Sequence, residues 1–294
     1  MPPQCAAGEK VPWRRIGPPA MERWGASGLN DTLNSTAIIL EGSRPGRDPL
    51  AAAAGVPTKA LVPIAGRPMV DHVTRTLLSH PRIGTIVLMA QQPEMLAQDP
   101  QTAWLARAER IVLSPSGGGI SQSLLDWTGA NPSAFPLLVT TADNVLLTGE
   151  MIDAFIAGVA EADIAAAMVE RRVLMRAYPD SRRTWLRFRG GAWSGANLFW
   201  LGSPRAARVL EKWREIEQDR KKGWKIVLAF GPVLLLAAAL RLLTVHRAIA
   251  RAGRILGVRA RIVPMPIAEA CIDADKPEDI VLIERIIAKR ASAS

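Results

Sequence analysis

The sequence predicts an α/β domain, and three observations carry that prediction. Short apolar runs of strand length recur at residues 37–40 (AIIL), 85–89 (TIVLM), 110–113 (RIVL), 135–140 (FPLLVT) and 164–168 (IAAAM). Segments with apolar residues at helical spacing fall between them, at residues 68–78 (PMVDHVTRTLL), from about Ser121, and at residues 149–159 (GEMIDAFIAGV). Strands alternating with helices in this way build a sheet covered by helices. Two of the strands break into glycine- and serine-rich loops, after Leu40 and after Leu113. Unpaired backbone N–H groups beside cations are how such loops hold phosphates. At 294 residues the chain is long enough for one large domain of this class or two small ones.

Composition narrows the function. Hydrophobic residues make up 49% and charged residues 22%, the balance of a globular protein. Cys5 and Cys271 cannot form a disulfide framework, which fits a reducing cytoplasm, and three scattered histidines cannot build a Cys/His metal cluster. The net charge of +10 favours anionic partners: nucleotides, nucleic acid or an anionic membrane surface. One tyrosine and five phenylalanines, beside nine tryptophans, are read as no aromatic interleaving for single-strand stacking, which argues against nucleic acid.

Taken in order, residues 1–34 mix Pro, Gly, Trp and Arg without periodicity. They read as a loosely ordered extension, either a functional arm or a start placed too early. The domain proper spans residues 35–294 and is organised around residues 36–69, TAIILEGSRPGRDPLAAAAGVPTKALVPIAGRPM. The first strand stops at Glu41-Gly42, a loop with two arginines follows, and Lys59 opens a second apolar run. The loop is neither a Walker sequence nor a Rossmann fingerprint, since GxxxxGK[ST] and GxGxxG are both absent.

This stretch resembles the signature region of the sugar-nucleotide-type nucleotidyltransferases, which include molybdenum-cofactor guanylyltransferase-like enzymes and cytidylyltransferases. Strand, Gly-rich basic loop, lysine and Gly-x-Pro turn occur in the family's order. One departure is Glu41, where the family usually has a small residue. The resemblance implies that Leu40, Gly42, Ser43, Arg44, Arg47 and Lys59 bind the triphosphate, with Lys59, Arg44 and Asp143 as catalytic residues.

A second point of resemblance is SPSGGGISQS, a loop entering a helix. By likeness to cytidylyltransferases, Ser116, Gly117, Gly118, Gly119 and Ser123 would clasp base and triphosphate, although Ile120 stands where those enzymes carry a basic residue. An ordinary βα loop would look similar. A third is the strand at residues 135–140, delivering Asp143 at its carboxyl end, where open α/β sheets bind ligands. The family's metal-binding aspartate sits there, and Mg²⁺ takes one or two carboxylates plus water and phosphate oxygens. The other reading is that Asp143 caps the following helix.

Arginines crowd residues 171–189, and the alternation in TWLRFRGGAWSGANLFWL predicts an antiparallel hairpin turning at Gly190-Gly191. The family places an acceptor-binding excursion here, so Arg183, Arg187, Ser194, Gly195 and Asn197 would bind the acceptor. A solvated basic face is the alternative for any single arginine. The closing segment AEACIDADKPEDIVLIERIIAKR is the fourth point, with Pro277 opening a helix and Glu278 and Asp279 at its positive end. Asp273 or Asp275 would supply the second metal ligand beside Asp143; helix capping alone explains Glu278 and Asp279.

Residues 204–219 read as an amphipathic helix and 257–265 as a last strand. Between them, residues 226–240 form an uncharged run of 15, shorter than the roughly 20 residues a membrane span needs and broken by Gly231-Pro232. Trp224 and lysines precede it, and arginines follow through Arg254. The segment 224–254 is either buried core or a helix in the membrane interface.

The resemblance implies a three-layer, Rossmann-like sandwich with a mostly parallel mixed sheet, of the nucleotide-diphospho-sugar transferase type. The expected activity is Mg²⁺-dependent nucleotidyl transfer from an NTP, CTP favoured, to a small anionic phosphorylated acceptor such as phosphoglycerate or a polyol phosphate. Pyrophosphate is released. A guanylyltransferase of the molybdenum-cofactor type, a glycosyltransferase using a sugar nucleotide, and a catalytically silent scaffold are the alternatives. The expected location is cytoplasmic, peripheral to the inner face of the membrane if residues 224–254 lie in the interface.

Overall fold

The computed structural model describes residues 35–41, 48–117, 119–218, 236–237 and 240–292. The extension 1–34, the loop 42–47, Gly118 and most of the apolar run 226–240 lie outside them.

Seven strands line up in the order β10-β7-β9-β6-β1-β4-β5, and an eighth, β8, pairs with β9. They are β1 (Ser35–Leu40), β4 (Ile83–Ala90), β5 (Ile111–Pro115), β6 (Leu137–Thr141), β7 (Ile164–Glu170), β8 (Leu186–Phe188), β9 (Gly191–Leu201) and β10 (Ala260–Pro264). A two-stranded hairpin, β2 (Pro63–Ile64) and β3 (Arg67–Pro68), follows a 3-10 turn at Lys59–Leu61. Neighbours β1–β4, β1–β6, β4–β5 and β7–β10 are parallel. β9 runs antiparallel to β6 and β7, wedged between them.

Burial follows from the two-residue period of strands. In β1, Ala37 and Ile39 face one cluster of buried residues, while Ile38 and Leu40 face another. The first face is covered by α1 (Pro49–Ala54), α2 (Met69–Ser79), α3 (Pro93–Gln98), α5 (Gly149–Val159) and the terminal helix α9 (Pro277–Ala291). The second is covered by α4 (Ile120–Ala130) and α7 (Ala207–Gln218). At the β7–β10 end, α8 (Val245–Ile255) packs on Met168 and Ile262. The result is the three-layer, mostly parallel mixed-sheet sandwich that the sequence led us to expect.

Local sequence explains most boundaries. Asp48 caps α1 by accepting from the Leu50 and Ala51 N–H groups, Pro49 opens the helix, and Gly55 closes it at φ 68°. The β8–β9 hairpin turns at Gly190, whose φ of 86° suits glycine. Gly202, just after β9, has no room for a side chain, because a Cβ there would lie 2.1 Å from the Ala162 carbonyl oxygen. Helix α6 (Arg171–Ala177), inside the arginine-rich stretch, was not anticipated. It buries Leu174 against the main core, with arginines outward.

Candidate active site

Parallel neighbours end together, so the carboxyl ends of β1, β4, β5 and β6 form one edge. Leu40 of β1 pairs with Thr141 of β6. Two residues later comes Asp143, in a turn where the Ala142 N–H donates to the Leu40 carbonyl. The helix after it is capped by Thr148, so Asp143 is not that cap. The Asp143 carbonyl accepts from Ala274 N–H at 3.1 Å, which ties the loop before α9 onto this edge. Thr141 Oγ1 donates to Asp143 Oδ1 and fixes its carboxylate plane.

Lys59 joins the two loops. Its Nζ lies 2.6 Å from Asp143 Oδ2 and 2.8 Å from Asp275 Oδ1. The lysine side chain is 8% exposed, whereas Asp275 is 48% exposed and opens the cluster to solvent. Thr58 starts the 3-10 turn, accepting from the Ala60 N–H and setting the lysine's direction. Burial by itself would lower the Lys59 ammonium, but Asp143 and Asp275 outweigh it, and the group is held above the usual lysine range. Lys59 is therefore a fixed cation between two carboxylates.

A second ion cluster lies alongside. Arg183 Nη1 pairs with Asp273 Oδ1, and its Nη2 reaches Asp279 Oδ1 at 3.2 Å and the Asp273 carbonyl at 3.2 Å. Asn197 Nδ2 donates to Asp273 Oδ2 at 3.0 Å. Burial raises the Asp273 carboxyl, and Arg183 pulls it back only in part. Asp279 also accepts from the Asp275 and Lys276 N–H groups, so it shapes the loop that presents Asp275.

Asn197 reaches this cluster because β9 is irregular. Phe199 pairs with Ala166, but Gly195 pairs with Met168, and Asn197 between them sits at φ 44°. The irregularity turns its side chain towards Asp273, while Thr140 Oγ1 donates to its carbonyl. Ser194 is buried and Gly195 is exposed, with open space over its Cα. Arg187 is exposed on β8.

The glycine-rich loop after β5 is braced from within. Ser123 Oγ accepts from Gly117 N–H and donates to the Gly119 carbonyl, each at 2.9 Å. That hydroxyl is buried and spent on holding the loop, while Gly117 faces solvent with open space above it. Ser116 anchors the loop's start through its N–H on the Ala90 carbonyl at 2.7 Å. Ile120 packs onto the second core cluster. Gly42, Ser43, Arg44, Arg47 and Gly118 lie outside the described residues.

Glu41 points into the protein. Its carboxylate is buried, accepting from Thr58 Oγ1 on one oxygen and from Gln91 N–H at 3.0 Å on the other. Burial pushes its carboxyl up to about 7, and the Gln91 N–H draws it back slightly. Thr58, Gln91 and Thr141 are contributors that sequence reasoning missed; only proximity to the strand ends could have flagged them.

Among the described residues, no three His, Cys, Asp or Glu side chains converge into a metal cage. The Asp143–Asp275 pair nonetheless offers hard oxygen donors around a site now filled by an ammonium. That donor set fits Mg²⁺, which keeps water and phosphate oxygens in its shell and needs few carboxylates.

The fold is shared widely among solved structures. A hypothetical transferase from Thermus thermophilus superposes with a TM-score of 0.69 at 29% identity, over 84% of this chain and 99% of its own. The 4-diphosphocytidyl-2C-methyl-D-erythritol synthase of Anaerococcus prevotii gives 0.53 at 11% identity, over 86% and 95%. A CMP:2-keto-3-deoxy-manno-octonic acid synthetase complexed with CTP gives 0.53 at 12%, over 88% and 100%. No curated protein matches the sequence. The family model of the MobA-like NTP transferase domain matches residues 37–251, so the chain belongs to that family and is a nucleotidyltransferase.

Proposed function

We propose that this nucleotidyltransferase is a Mg²⁺-dependent cytidylyltransferase acting on a small phosphorylated acceptor. The observation that carries the reading is the placement of Lys59 between Asp143 and Asp275 at the carboxyl edge of the sheet. An acceptor phosphate oxygen attacks the α-phosphorus of CTP, the bond from that phosphorus to the bridging oxygen breaks, and pyrophosphate leaves with the electron pair. Little covalent work falls to the protein; positioning and charge neutralisation carry the rate.

Lys59 neutralises triphosphate oxygens, together with the arginines of the loop 42–47. Asp143 and Asp275 would hold Mg²⁺, which when bound supplies neutralisation across the phosphates. Asp273 is the weaker candidate for that role, because Arg183 and Asn197 occupy both of its oxygens. The exposed loop around Gly117 reads the base through its backbone. Gly195 lines the acceptor side, with Arg187 opposite Ala192 on the same hairpin. Arg183 contributes by positioning Asp273.

CTP is favoured because two of the structural relatives are named for cytidylyl transfer or complexed with CTP. The guanylyltransferase reading rests on the resemblance in sequence, since the matching family model is named only for NTP transfer. Thermal stabilisation by CTP, GTP, ATP and UTP, with and without Mg²⁺, tests the choice. A ligand at about 100 times its dissociation constant adds roughly 2.7 kcal/mol. A CTP-specific, Mg²⁺-dependent shift supports the proposal, and a GTP-specific shift replaces it with the guanylyltransferase. Pyrophosphate release, as opposed to release of a nucleoside diphosphate, separates both from a glycosyltransferase.

A further inference from the structure

The charge of this protein is concentrated. Between Arg220 and Ala268 the sequence carries ten lysines and arginines and no aspartate or glutamate. Helix α8 lies in that stretch and places Arg247, Arg251 and Arg254 one turn apart along its solvent side, with Val245, Ala248 and Gly253 buried on the other. Among the described residues no carboxylate pairs with these three arginines or with Arg241, whereas Arg259 is held by Glu161. An unneutralised stripe of this kind is a docking charge for an anionic surface.

Exposed apolar side chains lie in the same stretch and on the hairpin tied to it. Leu236 and Leu240 are each 60% exposed, Leu242 58%, Leu186 53% and Ile255 50%, which is most of the large apolar exposure among the described residues. Leu186 belongs to β8, and the Arg189 N–H beside it donates to the Leu243 carbonyl at 2.9 Å. Phe188 and Trp193 of the hairpin pack with Val245 and Ile249 of α8 in one small cluster, and Trp193 meets His246 edge-on at 5.7 Å. Hairpin, leucine segment and α8 therefore form one face.

We propose that this face docks onto an anionic lipid bilayer, with the leucines entering the headgroup–acyl boundary and the α8 arginines meeting lipid phosphates. Exposed leucines interleaved with arginines match an amphipathic interfacial surface. A groove for single-stranded nucleic acid would present exposed aromatic stacking groups in their place. Ser194, Gly195 and Asn197 lie on the same strand β9, so, on the proposed function, docking brings the acceptor side of the site towards the membrane. The proposal stands without the nucleotide assignment, because vesicle binding is read without turnover.

The test is co-sedimentation of the full chain with vesicles of pure phosphatidylcholine and of phosphatidylcholine with about one third phosphatidylserine. Two variants accompany it, Leu240→Ser with Leu242→Ser, and Arg247→Glu with Arg251→Glu. The expected result is binding to the phosphatidylserine vesicles only, weakened at least tenfold in each variant and by raised salt. Far-UV circular dichroism and the urea unfolding midpoint should be unchanged in both variants, which shows that they fold. Absence of vesicle binding overturns the proposal, as does equal binding by the variants. Concentration-dependent dimerisation abolished by the leucine changes, or binding to duplex DNA in place of vesicles, overturns it in favour of a second copy or of nucleic acid.

Discussion

Lys59 and Asp143 meet at 2.6 Å although 84 positions separate them in the chain. The contact welds the turn before β2 to the end of β6 and places a buried cation where negative charge collects. On the proposed function it is where triphosphate charge would be neutralised.

Replacing Lys59 with Met should lower kcat for pyrophosphate release by about 10²–10³, the usual loss on removing one preorganised charge partner of the transition state. Asp143 and Asp275 would also be left facing each other without their shared cation. A fall of less than tenfold would take Lys59 out of the mechanism.

Asp143→Asn should abolish Mg²⁺-dependent turnover with the fold intact by circular dichroism. Asp275→Asn should raise the Mg²⁺ concentration for half-maximal rate, whereas Asp273→Asn should leave it within about twofold, a change too small to count as a lost metal ligand. If Asp273→Asn moves the Mg²⁺ dependence and Asp275→Asn does not, the roles of the two aspartates are reversed.

Glu41 predicts a pH effect on stability. Its folded pKa of about 7 lies above the ordinary carboxyl value of 4.5, so the folded state holds a proton that the unfolded chain has lost between those values. Stability from this group is fully present below about pH 4.5 and declines as pH rises through 7. Glu41→Gln keeps an acceptor for Gln91 N–H and offers a donor to Thr58, and it removes the titration. The variant should be more stable than the parent above pH 7, by up to about 3 kcal/mol, with the difference vanishing at acid pH in urea titrations. A constant difference across pH would show that Glu41 is not the titrating group.

Arg183→Met should destabilise the fold by about 3 kcal/mol, because Asp273 and Asp279 would lose their buried partner. Measured by urea unfolding, a loss below about 0.5 kcal/mol would mean that Arg183 behaves as an ordinary surface ion pair.

The strands and most long helices were legible in the sequence because their signals are local. Apolar runs bounded by turn residues gave β1, β4, β6 and β7, and Pro277 followed by Glu278 and Asp279 marked the start of α9. The short helices α1 and α6 escaped. Six or seven residues barely exceed one helical period, although Asp48-Pro49 and Gly55 carried the cap signals of α1.

The departures Glu41 and Ile120 could not be weighed from sequence alone. Whether a carboxylate faces the phosphates or the core depends on what stands behind it, and the structure puts Thr58 and Gln91 there. Ile120 likewise finds a core to fill. Glu41 is held by hydrogen bonds and Ile120 by packing, so each residue has a structural role in the fold.

By itself the sequence determined the family-like order of its motifs, the basic charge and the strand ends that bear Asp143 and Asn144, because each rests on neighbours a few residues apart. Only the tertiary structure decided that Asp275 shares Lys59 from 216 positions away, that Asp273 is taken by Arg183 and Asn197, and that β9 wedges between β6 and β7. Those outcomes depend on which loops the parallel sheet brings to one edge and on the irregular register of one antiparallel strand. Pairings over such distances leave no periodic trace along the chain.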